Sequence, residues 1–448
     1  MSSRMNSDSP EMSHRELLEN KEDQSNILNM EDNWVDMSSG DVDGPTELRR
    51  PSLIGRSTTE LLACRSTGMV YSPSSVCRKI GSSFIPNKPS KPVDQMMGRG
   101  YIGQYVPSGD FFVGAFQSEK VIKIYDSQRD FEAVKIIHAR TLRWTITDCA
   151  ASPDGRYIIY SSITPFVHLA SLQSEDSAVE SIANVTDIHE TLNFLQPTYS
   201  SGIWSVKWSG DSREIIAGSS ECSVCVYDIT TQKVVSVLKA HQNDVNSVDY
   251  ADETNRLFFS GSDDSHVYVW DRRTVGKKSK PVGALVGHTE GVAHINSKGD
   301  SRYLISNAKD QTVKSWDLRA SLVSWGEAKR ERRRTDVPSF DWDYRWMNFP
   351  GDGREIKHPR DRSLLTCRGH KVLGTLCRAY WSPLHTTGQK YIYSGSADGN
   401  IYIYDAMSGE EVERLECHDD VVRDCSWHPY LPMITSVSFD GTVVHWEH

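Results

Sequence analysis

No stretch of this 448-residue chain approaches eighteen consecutive apolar residues, and its opening, MSSRMNSDSPEMSHRELLENKEDQ, lacks the apolar block of a secretory signal. Neither membrane spanning nor secretion is expected. Cysteine is scarce and irregular: nine thiols, an odd number, run from Cys64 to Cys425 without the spacing of a disulfide framework. Free thiols in a reducing compartment, nucleus and cytoplasm, fit that pattern. Cys222 and Cys225 have no companion Cys/His pair at zinc spacing, so no metal site is expected. A basic surplus is missing as well. The net charge is −10, of which residues 1–60 carry −7, and the near-neutral remainder argues against direct nucleic-acid binding, which needs a basic face. No Gly-rich phosphate loop leads into a helix, and neither a nucleophile elbow nor a zinc-protease helix is present. No cofactor and no catalytic residue are therefore expected.

What the chain has instead is aromatic residues, 12 Trp and 18 Tyr, in a recurring pattern. Residues 1–65 are rich in Ser, Asp, Glu and Asn and read as a disordered acidic tail, in which only Ser13–Met30 carries enough apolar residues for a short partner-bound helix. Arg49-Arg50-Pro51-Ser52 in the tail has the form of a basophilic kinase site, a motif common by chance. Residues 66–99 read as an arm, and from Gly100 onward short β-branched and aromatic runs alternate with Gly/Asp/Ser turns, an all-β signature. Aromatic-acidic pairs close these runs at Tyr125-Asp126, Tyr227-Asp228, Trp270-Asp271, Trp316-Asp317, Tyr404-Asp405 and Trp446-Glu447. From Asp228 on, the ends are 43, 46, 88 and 42 positions apart, so the 88 holds one period plus an insertion at about 320–366.

The clear units open with His241, His288, His370 and His418, and place Ser and Asp at fixed offsets before the closing aromatic: Ser260/Asp264/Trp270, Ser306/Asp310/Trp316, Ser394/Asp398/Tyr404 and Ser436/Asp440/Trp446. In these features the chain resembles the WD-repeat family, which implies a seven-bladed all-β propeller. In each blade the resemblance makes the His, Ser, Asp and aromatic side chains a buried hydrogen-bonded set rather than catalytic triads. Blades are expected at about 100–126, 138–172, 199–228, 241–271, 288–317, 370–405 and 418–447. The first two are degenerate: Pro165 falls near the second blade's turn Asp. In the third, Tyr199 and Glu221 replace His and Asp. The chain ends on the last blade's third strand, so an upstream strand must close the ring, and the segment between Met69 and Phe84 is the expected donor.

Two consecutive blades end in Trp-Asp-any-Arg, Trp270-Asp271-Arg272-Arg273 and Trp316-Asp317-Leu318-Arg319. With the run Trp342-Asp343-Tyr344-Arg345-Trp346 and Arg368-Gly369-His370, these boxes resemble WD-repeat substrate receptors of cullin-4 ubiquitin ligases, in the lineage of cullin-4-associated factor eleven and the plant LEC-fourteen-B proteins. The resemblance implies a non-catalytic receptor. Trp270, Asp271, Arg273, Trp316, Asp317 and Arg319 would meet the ligase adaptor, the large damaged-DNA-binding protein subunit, and through it cullin-4, while another surface holds an unidentified protein substrate. The alternative, a propeller scaffold in a chromatin, trafficking or signalling complex with incidental arginines, stays open. So do three readings of the basic run Lys329–Arg334 in the insertion: an import signal, a site for an acidic partner, or a solvated loop. The aromatics Trp342, Tyr344 and Trp346 are expected to pack on the propeller. By repeat alignment Trp204, Asp244, Asn246, Asp263, Lys309, Arg423 and Phe439 project from the loop face where binding concentrates, with Trp204, Arg423 and Phe439 foremost.

Overall fold

A computed structural model describes residues 81–448 apart from 173–187, 196–200, 277–279, 332–336, 338–340 and 351–355. The N-terminal tail, with Ser13–Met30, Arg49–Ser52 and Met69–Val70, lies outside the described residues, as do Tyr199 and the second half of the basic run, 332–334. The residues from Gly81 onward form one compact unit. Seven antiparallel sheets follow one another along it, each four strands deep except the fourth.

The alternation of β-branched and small residues makes the second strands buried on both faces, and most of the third strands with them. Tyr157–Ser162, Glu214–Ser219 and Tyr303–Ala308 are examples, each covered by the neighbouring sheet. The outermost strands, such as Glu132–His138, Lys233–Lys239 and Glu411–Glu416, are charged and mostly exposed, which keeps their free edges from pairing with other chains. Between the sheets lie the large side chains that the composition required. Trp270, Trp316, Trp446, Tyr125 and Tyr404 are each at most 1% exposed.

The ring closes differently from expectation. The strand that completes the last sheet is Lys88–Gln95, not a segment before Phe84, and it pairs antiparallel with Thr442–Glu447. Its sequence, KPSKPVDQ, contains Pro89 and Pro92 and does not read as a strand. It is an edge strand, where a proline's missing N–H costs no ladder bond, and the register shifts between Pro89 and Asp94 absorb the rings. Asp94 ties this strand to the first blade, accepting from Lys123 Nζ at 2.7 Å and Tyr125 Oη at 2.8 Å.

The described residues of the insertion include regular structure. Val323–Ser324 adds a fifth strand to blade four by pairing with Gly283–Leu285, and the helix Trp325–Glu331 follows, with Ala328 buried and Trp325 edge-on to Tyr268. The chain then returns to supply blade five's outer strand, Leu365–Arg368. Of the three aromatics expected to pack, Trp342 meets Phe349 and Tyr344 lies under the Lys309 ammonium at 4.2 Å, but Trp346 is 72% exposed.

Candidate docking faces

The His/Ser/Asp sets act as internal braces in three of the four blades where repeat alignment places them. In blade four His241 bonds Asp264 Oδ2 at 3.0 Å and Ser260 Oγ at 2.8 Å, and Trp270 Nε1 donates to the same Ser260 oxygen at 2.9 Å. Blade five repeats this with His288, Asp310, Ser306 and Trp316, and blade seven with His418, Asp440, Ser436 and Trp446. Burial alone would push the Asp264 and Asp310 carboxyls up, but the imidazole beside each outweighs it and holds them at about 2. The connectivity is that of a Ser-His-Asp triad, but Ser260, Ser306 and Ser436 are fully buried and each also accepts from its own blade's indole, so these sets brace the blades from within.

Blade six corrects the pattern. Tyr404 stands in place of Trp, and its hydroxyl lies 3.1 Å from His370 Nδ1 while also accepting from the His370 backbone N–H at 3.1 Å. His370 Nε2 turns instead to Asn307 Oδ1 of blade five at 2.9 Å. Ser394 donates only to backbone carbonyls, and Asp398 accepts from Tyr402 Oη at 2.8 Å, so the expected His370/Ser394/Asp398/Tyr404 set is not assembled. A phenol carries its polar atom at the tip of the ring, beyond where an indole N–H sits, and the histidine follows it. In blade three Glu221 accepts from Ser201 Oγ at 2.7 Å.

At one end of the blades, Asp271 and Asp317 each close a third strand and cap the short turn beyond it, accepting from the backbone N–H of Arg273 and Arg319, both at 2.9 Å. This equivalent capping gives Arg273 and Arg319 equivalent places on adjacent blades, and both are exposed. Their surroundings differ. Arg273 folds back on its own Asp271 with bonds of 3.0 and 2.7 Å, whereas Asp317 is occupied by Arg302 and the Arg319 guanidinium has no ion pair among the described residues. The intervening positions point inward: Arg272 pairs with Glu214 of blade three at 2.5 Å, and Leu318 packs on the core. Trp270 and Trp316 are fully buried, so of the six box residues the arginines are the ones that present side chains to solvent.

The opposite face is reached through the turns between second and third strands, because successive antiparallel turns alternate ends. Six first strands carry a register shift at their second residue, and the skipped residues are Tyr101, Thr147, Trp204, Asn246, Ala293 and Arg423. A bulge re-aims the extra side chain, here into the channel mouth, and all six line a single cavity of ≈ 330 Å³. Tyr344 and Arg345 from the insertion join its wall, along with Arg99 and Trp144. Beside it the residues expected on this face form a chain of contacts. Trp204 Nε1 donates to Asp244 at 3.1 Å, Asn246 Nδ2 to Asp263 at 2.6 Å, and Lys309 Nζ to Asp263 at 2.7 Å while also standing over the Tyr344 ring.

Two of the three foremost candidates do not project. Phe439 is 8% exposed, packed against Tyr101 at 4.9 Å and under the Arg99 guanidinium. Arg423 is 7% exposed and donates to the Tyr101 and Thr147 carbonyls. Repeat alignment locates a position around the ring but not its depth, and both sit where blades seven, one and two converge.

One layer deeper the channel is crossed by a feature that repeat reading missed. Arg378 of blade six bonds Asp148 of blade two at 2.7 Å and Asp424 of blade seven at 3.3 Å, and Tyr380 Oη donates to Asp424 at 2.8 Å. Burial pushes both carboxyls up; Arg378 with Lys207 outweighs it at Asp148, which is held below the usual range, while at Asp424 burial wins. The sequence signal was a charge at the third position of two first strands, Asp148 in Ile146–Ala151 and Asp424 in Val422–Trp427, and another, Arg378, immediately before the first strand of blade six, Ala379–Trp381.

Among the described residues no group of His, Cys, Asp and Glu could hold a metal, and no helix is long and apolar enough to cross a membrane. The thiols of Cys149, Cys225, Cys367 and Cys377 are buried and pushed above their ordinary range by that burial. Comparison with known proteins matches the model of the WD domain, G-beta repeat, at residues 190–228, 232–271, 279–317, 361–405 and 409–447, leaving the two degenerate first blades unmatched. The chain is 46% identical over 398 residues to the LEC14B protein of Lithospermum erythrorhizon, covering 88% of this chain and 82% of that protein. It is also similar to the DDB1- and CUL4-associated factor 11 homologs of Caenorhabditis elegans, at 37% identity over 84% of this chain and 65% of the relative, and of Caenorhabditis briggsae, at 34% over 89% and 72%. Seven blades, the matched repeats and these relatives place the chain in the WD-repeat family of the LEC14B proteins and the DDB1- and CUL4-associated factor 11 homologs.

Proposed function

We propose that this propeller is a non-catalytic substrate receptor of a cullin-4 ubiquitin ligase, held on the ligase adaptor by Arg273 and Arg319 and presenting a protein substrate at the opposite face. The observation that carries the reading is the pair of exposed, Asp-capped arginines at equivalent positions of adjacent blades, together with relatives whose name links them to the adaptor and the cullin. A guanidinium fork at a blade rim suits carboxylates and carbonyls of a partner. The mechanism is proximity: target lysines gain effective concentration near the charged conjugating enzyme, and no residue of this chain touches the reacting atoms.

Co-purification of the adaptor with wild type and with Arg273→Ala/Arg319→Ala tests this, with circular dichroism as the check on folding. Recovery is expected to collapse in the double variant. Arg319→Ala is expected to cost more than Arg273→Ala, since Arg273 must first leave Asp271 whereas Arg319 has no ion pair among the described residues. A wild type that recovers no adaptor refutes the reading and favours a scaffold.

A further inference from the structure

We propose that the cavity at the channel mouth receives a carboxylate carried on an extended peptide segment of the substrate; the inference rests on the receptor reading and specifies what that face recognises.

Arg423 is the reason. Its guanidinium is buried and lines the cavity, its terminal nitrogens reach two backbone carbonyls, its Nε has no hydrogen-bond partner, and no carboxylate lies within ion-pair distance among the described residues. Arg378, one layer deeper and equally buried, has two carboxylates. Carbonyl dipoles satisfy donors without neutralising a charge, and the nearest carboxylates, Asp424 and Asp148, act on Arg423 only through space and are in contact with Arg378 instead, so Arg423 is a buried cation with no carboxylate in contact. Thr145 Oγ1, also buried and on the cavity lining, is a second polar atom without a partner. At the rim Arg99 is exposed, and no Asp or Glu lines the cavity.

The remaining wall sets the rest of the ligand. Tyr101, Trp144, Trp204 and Tyr344 surround the cationic end with aromatic surface, and Trp144 is half exposed despite its contact with Tyr101. Such walls suit the backbone and apolar neighbours of an acidic residue. The volume of ≈ 330 Å³ admits one or two residues and excludes a folded domain. At the buried end of the cavity one guanidinium without a contacting carboxylate, Arg423, stands with one neutral hydroxyl, Thr145, which suits the single charge of an Asp, Glu or terminal carboxylate, while two further cations of the wall, Arg99 and Arg345, are exposed to solvent. Asp244 and Asp263, the acidic residues expected on this face, are engaged by Trp204, Asn246 and Lys309.

The test presents the full-length chain with three immobilised hexapeptide libraries, neutral and randomised except for a third position fixed as Glu, Gln or phosphoserine. Wild type is expected to be retained about tenfold better on Glu than on Gln. Arg423→Lys, which keeps the charge but loses the fork, and Arg99→Gln, an exposed change that leaves folding intact, are each expected to cut that preference several-fold. Equal retention on Glu and Gln overturns the inference, as does stronger retention on phosphoserine, or a Glu preference untouched by both variants. Adaptor capture run in parallel separates the two readings. Adaptor bound without Glu preference refutes this inference alone, and Glu preference without adaptor supports the peptide site while refuting the receptor.

Discussion

Replacing Arg378 with methionine, which has similar reach and no charge, removes the one cation between Asp148 and Asp424 and leaves two buried carboxylates facing each other across the channel. Breaking a buried pair in this way costs about 3–5 kcal/mol, because the remaining charge keeps its desolvation penalty without its partner. The cost should depend on pH in a definite direction. With Arg378 present, Asp148 lies below its unfolded value, so it contributes stability above about pH 4 that is lost as pH falls. Without Arg378, burial dominates and both carboxyls rise above their unfolded values. The folded variant then holds more protons than the unfolded chain, and its stability falls as pH rises, by up to about 1.4 kcal/mol per pH unit for each carboxyl that stays protonated. Urea unfolding followed by tryptophan fluorescence at pH 5 and pH 8 reads this directly: the deficit of Arg378→Met is expected to be larger at pH 8. The triple change Asp148→Asn/Arg378→Met/Asp424→Asn is expected to recover most of the loss. A single variant within about 1 kcal/mol of wild type at both pH values would refute the view that these residues lock the ring.

Two further outcomes follow from the braces and the closure. Ser306→Ala strips the shared partner from Trp316 Nε1 and His288 and is expected to cost about 2–4 kcal/mol, whereas Ser394→Ala, which loses only bonds to carbonyls, should cost about 1 kcal/mol or less by the same denaturation assay. Equal costs would mean that blade six has a brace like the others. Gly441 sits at φ +84° with the Met96 carbonyl oxygen 2.1 Å from where a Cβ would stand, so Gly441→Ala is expected to loosen the closing strand and expose residues 88–97 to limited proteolysis. Unchanged protection there would show that the strand is held by its ladder with Thr442–Glu447 alone.

Where sequence reading fell short, distance along the chain is the common cause. The Asp caps behind Arg273 and Arg319 are local, two residues from the arginines they position, and the boxes were legible for that reason. Tyr404 was also visible, yet its effect on His370 depends on Asn307, 63 positions away in the next blade. The prolines of Lys88–Gln95 argued against a strand by local rules, and only the unfilled edge of the last sheet made them admissible.

The repeat period, the aromatic-acidic strand ends and the fixed His/Ser/Asp offsets determined the number of blades, the braces of blades four, five and seven, and the two rim arginines. Each of these is a short-range pattern repeated under one packing constraint, so each copy reports on the others. The tertiary structure alone decided which strand closes the ring, that Arg423 and Phe439 are covered, and that Asp148 and Arg378, 230 positions apart, meet across the channel. Those outcomes depend on how deep a side chain lies once seven sheets converge, and depth is a property of the closed ring, not of any one repeat.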